Sequence, residues 1–135
     1  MPLIQWSPDY SVNIKEIDEQ HQRLIAMIND LHQSMLNGKS NQILQDLLQR
    51  LVDYTNVHFS YEEKLLETNN YPGYIYHKGE HAKFIKQVLD FQNRYQQNPT
   101  GLGIQIIEFL KSWLINHIQG TDKKYSKYLN NHGVF

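Results

Sequence analysis

The chain has 135 residues, with 13 lysines and arginines against 14 aspartates and glutamates, a formal net charge of −1, and no cysteine. That length suits one domain over 1–135 with a real core, the charge gives no electrostatic case for nucleic acid, and the missing cysteine excludes disulfides, thiolate metal sites, iron–sulfur clusters and thiol nucleophiles. No apolar run approaches the roughly 18 residues of a membrane span, and Met1 to Tyr10 lacks a basic stretch followed by an apolar one, so a soluble, cytoplasmic monomer is the expectation.

In chain order, residues 1–18 read as an extended arm. Pro2 and Pro8 disfavour helix there, and Trp6, Tyr10, Val12 and Ile14 suggest that the arm packs on the body of the protein. A bundle of helices is then expected over 19–130. The first helix has the seam Ile17, His21, Leu24, Ile28, Leu31, Met35, in steps of four and three. Asp18 is its expected cap, and Gly38 stops it. Ser40 or Asn41 caps a second helix through about Thr68, with the seam Leu44, Leu47, Leu51, Tyr54, His58, Glu62, Leu65 and with Leu48 and Thr55 alongside. Asn69-Asn70-Tyr71-Pro72-Gly73 is a turn cluster. The third helix runs from about Tyr74 to Gln96 on the seam His77, His81, Phe84, Val88, Phe91, Tyr95, and Asn98-Pro99-Thr100-Gly101 ends it. The fourth starts near Leu102 and carries Ile106, Leu110, Leu114 and His117. Gly120 interrupts it, and Thr121 or Asp122 reads as the cap of a short last helix to about Asn130. The expected class is all-α: an up-down-up-down four-helix bundle with an extended N-terminal arm and a short C-terminal helix.

Every main helix places a potential metal ligand on its apolar seam. In order these are His21; His58 and Glu62; His77 and His81; and His117, followed by Asp122. One histidine on an apolar face is usually a core residue with one hydrogen bond. Five of them with a glutamate are different, because buried without a metal they would leave many unsatisfied polar atoms, each costing on the order of 1–3 kcal/mol. Antiparallel topology brings all these helix ends to one level. His32 lies about 16 Å along the axis from His21, too far for the same site, and reads as a flank residue. Glu63 and Glu80 fall off the seams and read as solvated. His117 and Asp122 are five apart, about 140° around an ideal helix after a full turn. The helix is therefore expected to break or bulge between Ile118 and Asp122, with Gly120 relieving the strain.

The Asp-x-x-His segment at 18–21, His-Phe-x-x-Glu-Glu at 58–63, His-x3-His at 77–81, His-x4-Asp at 117–122 and the early Trp6 resemble the hemerythrin family, in its bacterial stand-alone branch. The resemblance covers essentially the whole chain. It implies two iron ions in a non-haem di-iron centre, bridged by hydroxide or oxide, with O2 as ligand. By position, one iron takes His77, His81 and His117, the other takes His21 and His58, and Glu62 and Asp122 bridge them. Five nitrogens, four carboxylate oxygens and a bridging hydroxide counted twice fill eleven of about twelve positions in two octahedra, so the vacancy for O2 falls on the iron with two histidines. The resemblance implies reversible O2 binding for storage, transport or delivery to an oxygen-consuming enzyme, and no catalysis. An O2 or redox sensor module and an iron-handling oxidase are the alternatives. Di-iron oxidases favour carboxylate-rich Glu-x-x-His sites, whereas histidines here outnumber carboxylates. Leu114 and Trp113, one turn before His117, are candidates for the O2 pocket, with Leu114 as its apolar lid. Phe59 and Tyr125 are further candidates around it.

Overall fold

The steps of three and four along each seam produce the helices they imply. The computed structural model describes residues 3–98 and 102–135. Its helices are α1 (Lys15–Leu36), α2 (Asn41–Thr68), α3 (Tyr74–Gln97), α4 (Leu102–Asn116) and α5 (Lys123–Asn131), and no strand occurs among the described residues. α1 packs on α2 and α4, and α3 packs on α2 and α4, which closes the four-helix bundle. Among the described residues, no helix is long and apolar enough to cross a membrane.

Local chemistry explains most of the boundaries. Gly38 has φ +67, open to a residue without Cβ, and ends α1 in a double-bonded cap: Gly38 N donates to Met35 O at 3.2 Å and Lys39 N to Ser34 O at 3.1 Å. Ser40 Oγ accepts from Ile43 N at 3.3 Å and opens α2. Pro99, Thr100 and Gly101, expected to end the third helix, lie outside the described residues, as does Pro2.

Three expectations need correction. First, α1 starts at Lys15 after Ile14, so Asp18 is not its cap and the arm is shorter than 1–18. The Asp18 carboxylate instead accepts from Ser11 Oγ at 2.5 Å and Val12 N at 2.8 Å, tying the arm to the first turns of α1. Nor is the arm wholly extended. Pro8 opens a single 3-10 turn, Pro8–Tyr10, where its fixed φ suits the first position. Second, α2 buries Leu44, Leu51, His58 and Glu62 of its expected seam with Leu48 and Thr55 beside them, but Leu47, Tyr54 and Leu65 are only half-buried, and Val52, Phe59 and Leu66 complete the buried face instead. Third, no side chain caps α5, because the chain never leaves helical geometry between α4 and α5.

Residues His117–Asp122 form a π-helical segment, with Lys123 N donating to Ile118 O five residues back. The bulge expected between Ile118 and Asp122 is therefore present as a wider turn. Gly120 is not what allows it. Its φ is not in the left-handed region, and a Cβ there would meet nothing within 4 Å. Gly120→Ala should accordingly keep its metal content and gain about 0.4–1 kcal/mol from a less flexible unfolded chain. Urea unfolding with metal analysis checks this, and a loss of metal would return the glycine to a structural role.

Two apolar clusters flank the level at which the histidines meet. The larger includes Leu24, Leu51, Phe59, Leu110, Leu114 and Ile118. The smaller, at the arm end, holds Val12, Ile14, Ile17, Leu66, Tyr125 and Leu129. Ser126 Oγ donates to Val12 O at 2.5 Å, which fastens α5 over the arm.

Candidate metal centre

All seven residues singled out from the sequence converge. His21, His58, Glu62, His77, His81, His117 and Asp122 are buried, with Glu62 and Asp122 both at 0% exposure. α1 and α2 bring His21 and His58 together, with ring centroids 4.8 Å apart. α3 presents His77 and His81 one turn apart, and the π segment delivers both His117 and Asp122. Because that wider turn puts residues five apart on one side, His117 Nε2 comes within 2.9 Å of Asp122 Oδ1.

Each imidazole presents Nε2 to the middle, and the contacts divide into two sides. Glu62 Oε1 faces His77 Nε2 in a very short contact and His81 Nε2 at 3.0 Å. Glu62 Oε2 faces His58 Nε2 at 3.4 Å and His21 Nε2 at 3.9 Å. Asp122 repeats the division: Oδ1 faces His77 at 3.1 Å and His117 at 2.9 Å, and Oδ2 faces His21 at 3.1 Å. Glu62, His77, His81 and His117 thus form one group able to hold a metal ion, and His21, His58 and Glu62 form another.

The donor set fits cations better than it fits itself. His21 Nδ1 and Nε2 and both Asp122 oxygens are buried without a hydrogen-bond partner. His81 Nε2 and His117 Nε2 lie 3.2 Å apart, close enough to share one proton or to face one cation. Buried polar atoms are rarely left without a partner. Imidazole nitrogen and carboxylate oxygen, with no thiolate, suit borderline metals such as iron.

Electrostatics agrees. Burial pulls the His77 imidazole down, yet Asp122 and Glu62 outweigh it and raise the pKa to about 9. His117 is likewise opposed by burial and is raised to about 10 by Asp122 and then Glu62. Burial pushes Glu62 up, but the surrounding imidazoles of His117, His58, His77 and His81 hold it well below the usual carboxylate range. Asp122 is lowered too, against burial and the Glu62 charge, by His117 and His21. His58 goes the other way, lowered by burial, with Glu62 only partly offsetting it. The pocket therefore draws positive charge, and without metal protons supply it. The folded values of His77 and His117 lie above the roughly 6.5 of free histidine, so their stabilisation is complete below that pH and is lost as the pH rises through 9 to 10. His58, being lowered, costs stability only below about 6.5. Chelator-treated protein should melt at falling temperature from pH 6.5 to 10, and metal-loaded protein should not. A flat melting profile for the chelated protein would mean that the carboxylates do not hold these protons.

Aromatic and apolar side chains enclose the polar group. Phe59 stacks on His81, with centroids 3.7 Å apart and planes at 2°. Trp113, half-buried, stacks on His117 at 4.2 Å and 14°. Tyr125 is fully buried and its hydroxyl donates to Glu62 Oε2 at 2.9 Å. Burial, and next the Glu62 charge, pushes that phenol well above its usual value, so it stays a donor. Leu114 is buried and borders a cavity of about 10 Å³ lined by Leu24, Leu51, Phe59 and Leu110.

Three residues escaped sequence reasoning. Gln20 Oε1 accepts from His58 Nδ1 at 2.6 Å, inside the bundle. Its spacing was a usable signal, because it lies three after Ile17 and four before Leu24. Glu63 is not solvated as expected: its Oε2 accepts from His81 Nδ1 at 2.9 Å. Glu80 Oε2 is buried and lies 3.5 Å from His117 Nδ1, so it too faces inward. The remaining histidines stand apart as expected. His32 is half-buried, and His132 is exposed against Tyr128 O.

Known proteins are similar to this chain in sequence and in fold. The family profile described as "Hemerythrin HHE cation binding domain" matches residues 12–129. A bacteriohemerythrin of Stenotrophomonas maltophilia is 35% identical over 132 residues, spanning 98% of this chain and 85% of the relative. Another, from Methylococcus capsulatus, is 30% identical over 131 residues, spanning 96% and 99%. A crystal structure of wild-type hemerythrin matches with a TM-score of 0.86 at 28% identity, covering 93% of this chain and 96% of that one. On this agreement of sequence and fold, the chain belongs to the hemerythrin family.

Proposed function

We propose that this protein binds O2 reversibly at a pair of non-haem iron ions and stores it or delivers it to an oxygen-consuming enzyme, without turning it over. The observation that carries this reading is the division of the site. His77 meets Glu62 Oε1 and Asp122 Oδ1, His81 meets Glu62 Oε1 and His117 meets Asp122 Oδ1, whereas His21 and His58 meet Glu62 Oε2, with His21 also on Asp122 Oδ2. These seven residues would hold the two ions, with Glu62 and Asp122 shared. Two ferrous ions would supply the electrons that reversible O2 binding borrows and returns. The chain's own residues do the rest. The side of His21 and His58 offers one imidazole fewer, so an ion held there would be the one left with room for O2. Tyr125 holds Glu62 in place through Oε2. Phe59, Trp113 and Leu114 keep water out and the surroundings apolar, which lowers the local dielectric. Predominantly neutral ligands also push less charge onto the metals than a carboxylate-rich set does, which favours carrying O2 over cleaving it.

The test is a visible spectrum of anaerobic, iron-loaded protein through cycles of air and argon, with metal analysis. Two irons per chain and a band that appears with O2 and fades under argon are expected. Steady O2 consumption in excess of iron would replace the carrier reading with an oxidase.

A further inference from the structure

The five imidazoles turn Nε2 inward, and what their Nδ1 atoms meet differs between the two sides of the site. On the three-histidine side, His81 Nδ1 donates to the Glu63 carboxylate at 2.9 Å. His117 Nδ1 faces Glu80 Oε2 at 3.5 Å, within ion-pair distance; both atoms are buried and neither makes an aligned hydrogen bond. On the two-histidine side, His58 Nδ1 donates to Gln20 Oε1, a neutral amide, at 2.6 Å. His21 Nδ1 is buried and has no partner. We infer that Glu63, Glu80 and Gln20 are positioning residues that make the two metal positions unequal, the one at His77, His81 and His117 holding its ion more tightly and filling first. This rests on the two-metal reading above and deepens it.

The reason is elementary. A carboxylate that accepts from Nδ1–H fixes the tautomer, aims the Nε2 lone pair at the centre and raises its basicity. An amide oxygen fixes the tautomer as well, but a bond to a charged acceptor is roughly twice as strong as a neutral one. An imidazole with no Nδ1 partner has neither orientation nor added basicity from that end. One hydrogen-bonded carboxylate, Glu63, and one carboxylate at ion-pair distance, Glu80, therefore back one position, and one neutral acceptor backs the other. Glu63 and Glu80 follow and precede ligands by one residue, and both are half-buried, so each reaches its imidazole from the bundle surface while Gln20 does so from inside.

The test needs no O2. The metal-free protein is titrated anaerobically with zinc at one pH against a chromophoric chelator, and two dissociation constants are read. Glu63→Gln and Glu80→Gln should each weaken the tighter constant about 10–100-fold and leave the weaker one in place. Gln20→Glu, nearly isosteric, should tighten the weaker constant and narrow the gap, a gain that misfolding does not produce. Melting of each metal-free variant checks the fold. If wild-type protein takes up two ions and neither constant moves in any variant, the inference is overturned while the two-metal reading stands. If wild-type takes up fewer than two, the two-metal reading itself fails.

Discussion

Glu62→Ala should yield a folded but metal-free protein. Glu62 is completely buried, contacts His21, His58, His77 and His81 through its two oxygens, and accepts from Tyr125. It is common to both groups able to hold a metal, so its loss removes a ligand from each. It also leaves Asp122, among the described residues, as the one carboxylate at the inward-facing Nε2 atoms, and deprives the buried Tyr125 hydroxyl of its acceptor. Removing one partner of a buried charged set costs about 3–5 kcal/mol, a large share of the roughly 5–15 kcal/mol that holds a domain together. Stabilisation by bound metal would vanish in addition. Metal analysis should fall from two irons per chain to none, with a matching drop in melting temperature that added iron does not restore. Retention of both irons would remove Glu62 from its shared place.

Leu114→Ala should affect both stability and the lifetime of the oxygen-loaded form. Leu114 is 5% exposed, one turn before His117, and already borders a cavity of about 10 Å³. Truncation enlarges that cavity, and a change of this kind costs about 2–5 kcal/mol in a packed core. The present cavity is near the smallest that can hold a water and is lined mostly by apolar groups, so it stays dry. An enlarged one, close to Phe59 and Trp113, would admit water toward the metals and hasten irreversible oxidation. A leucine that only fills space predicts the loss of stability alone, whereas a lid predicts both. The decay of the oxygen-loaded colour, followed in both proteins where both remain folded, separates the two. Equal rates would leave Leu114 as plain core.

Local periodicity was enough to place the main helices and the histidines that converge between them. Steps of three and four place side chains on one helical face whatever the neighbours are. His77, His81, Phe84, Val88, Phe91 and Tyr95 were legible as the buried face of α3 for that reason, and they make up the whole of it. The five-residue gap from His117 to Asp122 even announced irregular winding, because an ideal helix would separate the pair. Tertiary structure decided what depends on a second element. Asp18 ties down the arm instead of capping α1, because Ser11 and Val12 reach it across a turn. The buried face of α2 keeps Leu44, Leu51, His58 and Glu62 but takes in Phe59, which has His81 of α3 to stack on, at its edge. Glu63 and Glu80 leave solvent for His81 and His117 because neighbouring helices bring those Nδ1 atoms within reach. A sequence states which side chains share a face of one helix. The partner that a residue at the edge of that face will find is set only when another helix arrives beside it.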